Sequence, residues 1–168
     1  MISIVRGNLF DVEKGIIIHG CNALGVMGAG VAAYVRKCYP KAYQVYRDAH
    51  AHGRLTLGSC TWAQVKPELW IVNAVTQEKI GGGLQVSYEA IGRCFDLADH
   101  LTKQLEKLTS SELSLHFPKI GAGRGGGDWN LIEQAIIKNV GPDRQLFLHV
   151  VDEEPIYMVT SAGDAVHS

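Results

Sequence analysis

The chain has almost no charge imbalance: 16 Lys and Arg stand against 17 Asp and Glu, a net charge of −1 over 168 residues. A nucleic-acid-binding surface normally shows as a basic excess or stripe, so no nucleic-acid partner is expected. No apolar run reaches the roughly 20 residues needed to span a bilayer, and Met1 leads straight into a strand-like segment. Neither a signal peptide nor a membrane anchor is read here. Cysteine is sparse and scattered, at Cys21, Cys38, Cys60 and Cys94, with no C-x-x-C pair. That spacing fits reduced thiols in a cytoplasmic compartment better than a disulfide or metal framework. The seven histidines lack metal spacing as well, since His50 and His52 would point to different faces of a helix. No metal and no cofactor are expected. The pattern G-x-x-x-x-G-K-[ST] is absent, which removes nucleoside triphosphate hydrolysis by that route.

Glycine, by contrast, is plentiful at 19 residues, and much of it lies in two loops that each follow an apolar run and open a helix. The first is Gly25-Val26-Met27-Gly28-Ala29-Gly30, after Gly15-Ile16-Ile17-Ile18-His19-Gly20-Cys21-Asn22. The second is Gly121-Ala122-Gly123-Arg124-Gly125-Gly126-Gly127, after Leu113-Ser114-Leu115-His116-Phe117. Backbone N–H groups can curl toward an anion where no Cβ intervenes, and a helix starting there adds unpaired N–H groups and partial positive charge. Two facing loops of this kind suggest a diphosphate held between them. Gly121-x-Gly123-x-x-Gly126 also matches the dinucleotide fingerprint. However, only one clear strand follows it, and Asp152 is a late candidate for the acidic residue that pattern requires.

Periodicity predicts strands at Ile2–Val5, Ile16–His19, Leu57–Val65, Leu69–Val75, Leu113–Phe117 and Leu146–Val151. Helices are predicted at Ala29–Tyr39, Lys41–His52, Ser87–Leu108 and Asp128–Val140, with Gly81-Gly82-Gly83 a flexible loop before the long one. Ser87 and Asp128 read as N-caps. Strands alternating with helices imply an α/β sheet covered on both faces. Ligands in such sheets sit at the carboxyl ends of the strands, where both glycine loops fall. One domain is expected over residues 1–154. The tail, 155–168, offers a candidate edge strand at Ile156–Thr160 and then a frayed end.

Four stretches, in order, resemble the macro domain family, whose members bind ADP-ribose. They are Val5-Arg6-Gly7-Asn8-Leu9-Phe10; Ile18-His19-Gly20-Cys21-Asn22 with Met27-Gly28-Ala29-Gly30-Val31-Ala32; Tyr39-Pro40-Lys41-Ala42-Tyr43-x-x-Tyr46; and Phe117-Pro118-Lys119-Ile120-Gly121-Ala122-Gly123. The resemblance implies a three-layer α/β/α fold with a central mixed sheet flanked by helices. It places adenine near Asn8 and Leu9 and has Asn22 hydrogen-bond the distal ribose, with Gly7, Gly20 and Cys21 also substrate-binding. The two phosphates fall to the backbone of Gly28, Ala29, Gly30 and Val31 and of Gly121, Ala122, Gly123, Arg124, Gly125 and Gly126, while Met27, Ala32 and Ile120 belong to the wider substrate-binding set. Asp152 is placed at the adenosine end. Arg124 either pairs with a phosphate or lies on the surface.

The Ile-His-x-Cys-Asn and Tyr-Pro-Lys-Ala stretches look most like the ADP-ribose 1″-phosphate phosphatase branch. The implied activity is metal-independent removal of the 1″-phosphate. His19 and Asn22 are the candidate catalytic residues, His19 because a free imidazole titrates near neutrality. Two alternatives remain, a non-catalytic reader of ADP-ribose or ADP-ribosylated protein, and an ADP-ribosyl hydrolase. For the hydrolase branch that uses a lysine and an aspartate, those positions fall on Gln77 and Gly125.

Overall fold

A computed structural model describes residues 1–123 and 125–151. Arg124, Asp152 and the tail from 155, with its expected edge strand, lie outside the described residues. In chain order the elements are β1 (Ile2–Arg6), a one-turn 3-10 helix (Leu9–Asp11), β2 (Gly15–Asn22), α1 (Gly30–Cys38), α2 (Pro40–Ala51), β3 (Cys60–Lys66) and β4 (Leu69–Gln77). They continue as α3 (Tyr88–Thr109), β5 (Leu115–Phe117), α4 (Trp129–Asn139) and β6 (Leu146–Val150).

The sheet order is β1-β6-β5-β2-β4-β3, parallel throughout except for the β3–β4 hairpin at one edge. This is the mixed α/β sheet expected. β2 is central because both its faces are apolar. Ile16 and Ile18 pack with Phe95, Phe117 and Ile132 under α3 and α4, while Ile17 packs with Val35, Ala42 and Tyr46 under α1 and α2. All three isoleucines are fully buried, each contributing about 1.5–3 kcal/mol of hydrophobic stabilisation.

Two expected strands start late. Leu57 and Gly58 form a turn closed by Ser59 N–H donating to Thr56 O at 3.0 Å, so β3 begins at Cys60. Leu113 is excluded from β5 because its N–H donates to the Glu106 carboxylate at 2.8 Å. Glu106 in turn shares Arg144 with Asp99, at 2.7 Å for each pair, under the amino end of the sheet. Among the described residues no helix is long and apolar enough to cross a membrane. All four cysteines are free thiols.

Candidate functional site

β2 ends at the carboxyl edge of the sheet in Asn22, and this residue builds the turn that follows it. Its Oδ1 accepts from Leu24 N–H at 2.9 Å and from Tyr46 Oη–H at 2.9 Å, with Val26 N–H further off at 3.4 Å. Its Nδ2 donates to Val26 O at 2.9 Å. Four interactions therefore shape the first glycine loop around one side chain, and one amide hydrogen of Asn22 is left over.

The loop delivers the chain into α1, whose N-cap is Ala29. Alanine has no side-chain acceptor, and no acidic residue stands in the first turn. Two helices differ: Ser87 accepts from Ala90 N–H in α3, and Asp128 accepts from Asn130 N–H in α4, whereas α2 also lacks a side-chain cap and starts instead on Pro40. The first bond of α1 is Ala33 N–H to Ala29 O. The N–H groups of Gly30, Val31 and Ala32 thus have no partner within the helix, at the positive end of its dipole.

The start of α1 borders a cavity of about 530 Å³, which Ala29 and Ala32 line and Gly30 and Val31 do not. Gly20, Cys21, Asn22, Val26, Gly28, Ala29 and Ala32 form one side, and Gln77, Ile80 and Gly81 the other. The second wall is the loop after β4. It is closed at its base by a bridge between Gln77 and Val86 and held by Gln85 and Val86 N–H groups donating to Gly125 O at 2.8 and 3.1 Å. The second glycine loop therefore acts as a buttress. Its Ala122, Gly126 and Gly127 N–H groups donate to Lys119, Gly123 and Gly121 carbonyls within the same loop. The expectation that Ala122 and Gly126 offer their N–H groups to a phosphate is corrected accordingly. Another cavity, of about 360 Å³, lies at the opposite end of the sheet around Arg144. There Nε and Nη1 of Arg144 are already held by Asp99, Glu106 and Leu113 O.

His19 does not reach the site. It is fully buried, and its Nε2 lies 2.7 Å from Asn73 Oδ1. Asn73 Nδ2 donates to Ala42 O at 2.9 Å and Thr61 Oγ1 at 3.0 Å, so its Oδ1 must be the acceptor. The imidazole is therefore the Nε2–H tautomer, and Cys21 Sγ lies 3.8 Å from Nε2 and 3.9 Å from Nδ1. Burial pulls its pKa down to about 4, against the opposing effect of the Asn73 hydrogen bond. A neutral histidine locked into the core carries no proton to a substrate, and the catalytic expectation for His19 is withdrawn. Cys21 lines the cavity, but burial, with Cys94 adding to it, pushes its thiol far above the ordinary range.

The sequence-derived set thus divides. Gly20, Cys21, Asn22, Gly28, Ala29 and Ala32 come together at the cavity. Met27 and Leu9 are buried in the core under α1 and α2, and Val31 packs against it. Ile120 is buried against Gly20, where a Cβ would meet its Cγ1 at 3.0 Å. Asn8 uses its Oδ1 to accept from Phe10 N–H at 2.9 Å, capping the 3-10 turn, and Gly7 N–H donates to Val150 O. Val26, Ile80 and Gly81 were not anticipated as lining residues. Their signal was the triple glycine after Ile80, which marks a loop but not the wall it forms. Gln77 entered only as a missing lysine; its Nε2 donates to Lys79 O at 2.6 Å. Among the described residues no three His, Cys, Asp or Glu side chains gather where they could hold a metal ion.

A sequence model of the macro domain matches residues 18–136. The chain belongs to the macro domain family. ADP-ribose binding and hydrolysis characterise the relatives of this macro domain. It is 30% identical over 139 residues to a DNA ADP-ribosyl glycohydrolase of Thermus aquaticus, covering 81% of this chain but only 37% of that protein. It is 29% identical over 144 residues to an ADP-ribose 1″-phosphate phosphatase of Candida albicans, covering 81% of this chain and 92% of that one. A solved macrodomain from Streptomyces coelicolor superimposes with a TM-score of 0.74 at 30% identity, over 89% of this chain and 99% of that one.

Proposed function

We propose that this macro domain binds ADP-ribose at the carboxyl end of its sheet and hydrolyses ADP-ribose 1″-phosphate to ADP-ribose and inorganic phosphate. The observation that carries the reading is the uncapped N-terminus of α1 bordering the cavity. Its free N–H groups, with those of the Gly28 turn, would hold the diphosphate through charge-assisted hydrogen bonds. The remaining amide hydrogen of Asn22 would donate to an oxygen of the terminal ribose.

Among the described lining residues only Cys21 is ionisable, and it is held as a thiol. The protons therefore move on the substrate and water. Water oxygen forms the new bond to phosphorus, the bond from phosphorus to the ribose 1″-oxygen breaks, and that oxygen takes the proton carried by the phosphate monoanion. Backbone N–H groups at the start of α1 stabilise the charge that develops. The match over 92% of the Candida albicans phosphatase supports this reading. The hydrolase route through a lysine and an aspartate is disfavoured by residue type. A Cβ at Gly125 would lie 3.2 Å from Gln77 Oε1, so the two positions adjoin, yet neither bears a charge.

The test is phosphate release from ADP-ribose 1″-phosphate with EDTA present throughout. Stoichiometric phosphate and ADP-ribose are expected. Tight ADP-ribose binding without phosphate release would replace the phosphatase by a reader of ADP-ribose.

A further inference from the structure

The first glycine loop does not hold its shape alone. α2 lies beside it and reaches in with two side chains. Tyr46 is fully buried, and its Oη–H is shared between Asn22 O at 2.7 Å and Asn22 Oδ1 at 2.9 Å. Arg47, one residue on, donates from Nη1 to Gly25 O at 2.8 Å. An asparagine amide has two orientations related by a flip, which exchange its donor and its acceptor. Here Leu24 N–H and Val26 N–H aim fixed donors at one end of the amide, joined by Tyr46 Oη–H, and Val26 O aims an acceptor at the other. A flip would set NH₂ against two donors and oxygen against a carbonyl. The orientation is therefore singular, and what it leaves available to the cavity is one N–H.

We propose that Tyr46 and Arg47 are positioning residues that lock Asn22 as a hydrogen-bond donor to the ligand, so that the site selects an acceptor oxygen at that point. The proposal rests on the reading of the cavity as an ADP-ribose site. It gives the α2 face a role that its burial alone would not require, because an apolar ring would fill the same space. It also excludes Asn22 as an acceptor for the proton of an attacking water.

The decisive experiment compares the wild-type protein with Tyr46→Phe, Arg47→Met and a control, Tyr43→Phe, whose ring on the same helix lies under Arg36 instead. ADP-ribose is titrated calorimetrically, and the Asn22 side-chain amide signals are followed by NMR with hydrogen exchange. Tyr46→Phe is expected to weaken ADP-ribose binding about tenfold, or 1.4 kcal/mol, and to speed exchange of the Asn22 amide. Arg47→Met is expected to weaken binding about threefold, and Tyr43→Phe to match wild type. A folded Tyr46→Phe with wild-type affinity and unchanged Asn22 signals overturns the proposal. Should Tyr46→Phe fail to fold, the exposed Arg47→Met decides, and wild-type affinity there overturns it too. If the wild-type protein itself takes no ADP-ribose, the functional reading fails, and the Asn22 amide signals still decide whether the lock exists.

Discussion

The two glycine-rich loops look alike in sequence and do opposite work in the fold. The first lines a cavity with Val26, Gly28 and Ala29 and leaves the helix behind it without a side-chain cap. The second turns several of its N–H groups inward and uses its Gly125 carbonyl to anchor the wall of that cavity. Glycine serves the first loop by removing bulk from where a ligand approaches, and the second by letting backbone pack against backbone. Gly126, at φ +71°, shows the latter case, since a Cβ there would run into the Gly83 carbonyl. A shared composition therefore says nothing about which N–H groups are free. Only the hydrogen-bond partners do.

If this contrast holds, substitutions in the first loop damage binding and those in the second damage stability. The largest effect is expected for Gly30→Glu. Its Cβ would enter open space, but at φ +61° and with a carboxylate at the positive end of α1. ADP-ribose affinity should fall more than about 100-fold, or 2.7 kcal/mol. Retained affinity in a folded variant would remove the diphosphate from this loop. Next, Gly126→Ala should destabilise by about 2 kcal/mol, lowering the melting temperature by several degrees while ADP-ribose affinity stays within about threefold. A large loss of affinity with an unchanged melting temperature would return the second loop to the ligand.

The strand that feeds the first loop provides a pH test of comparable size. His19 is held neutral by burial, with its pKa lowered to about 4. The unfolded chain binds that proton near 6.5. Stability is therefore intact above about pH 6.5 and is lost as pH falls toward 4, by of order 2 kcal/mol between pH 7 and pH 5. His116 is also lowered to about 4, by burial and then by His149, and His149 is lowered by burial, so both act in the same direction. Urea unfolding at the two pH values should show the loss, and His19→Gln should flatten part of it. An identical slope in the variant would mean that His19 titrates freely in the folded state.

The smallest effect sharpens the comparison most. Ala29→Asp should supply α1 with the cap that Ser87 and Asp128 give α3 and α4. It should stabilise the unliganded protein by about 1 kcal/mol and weaken ADP-ribose binding through the occupied N–H groups. A variant that gains stability and keeps full affinity would show that those groups do not meet the ligand.

Much of the fold was legible because burial leaves a linear record. Ile16-Ile17-Ile18 could only be a strand covered on both faces, and Ser87 and Asp128 cap the helices they were expected to cap. The cavity's first wall was legible for a related reason, since apolar strand, asparagine, glycine loop and helix are consecutive in the chain. The second wall was not. Ile80 and Gly81 meet the first loop only after β4 pairs with β2, and no local pattern records that pairing. His19 misled because an imidazole at a strand's carboxyl end reads identically whether it faces solvent or core. Its partner Asn73 lies 54 residues away.

The sequence by itself determined the layered α/β architecture, the family and the place of the first glycine loop, because each depends on side-chain periodicity or on residues adjacent along the chain. Tertiary structure alone decided which N–H groups remain free, that His19 is neutral and that Asn22 is a donor. Those properties depend on partners brought within hydrogen-bond distance by folding, and a change of one such partner exchanges a donor for an acceptor without altering the residue.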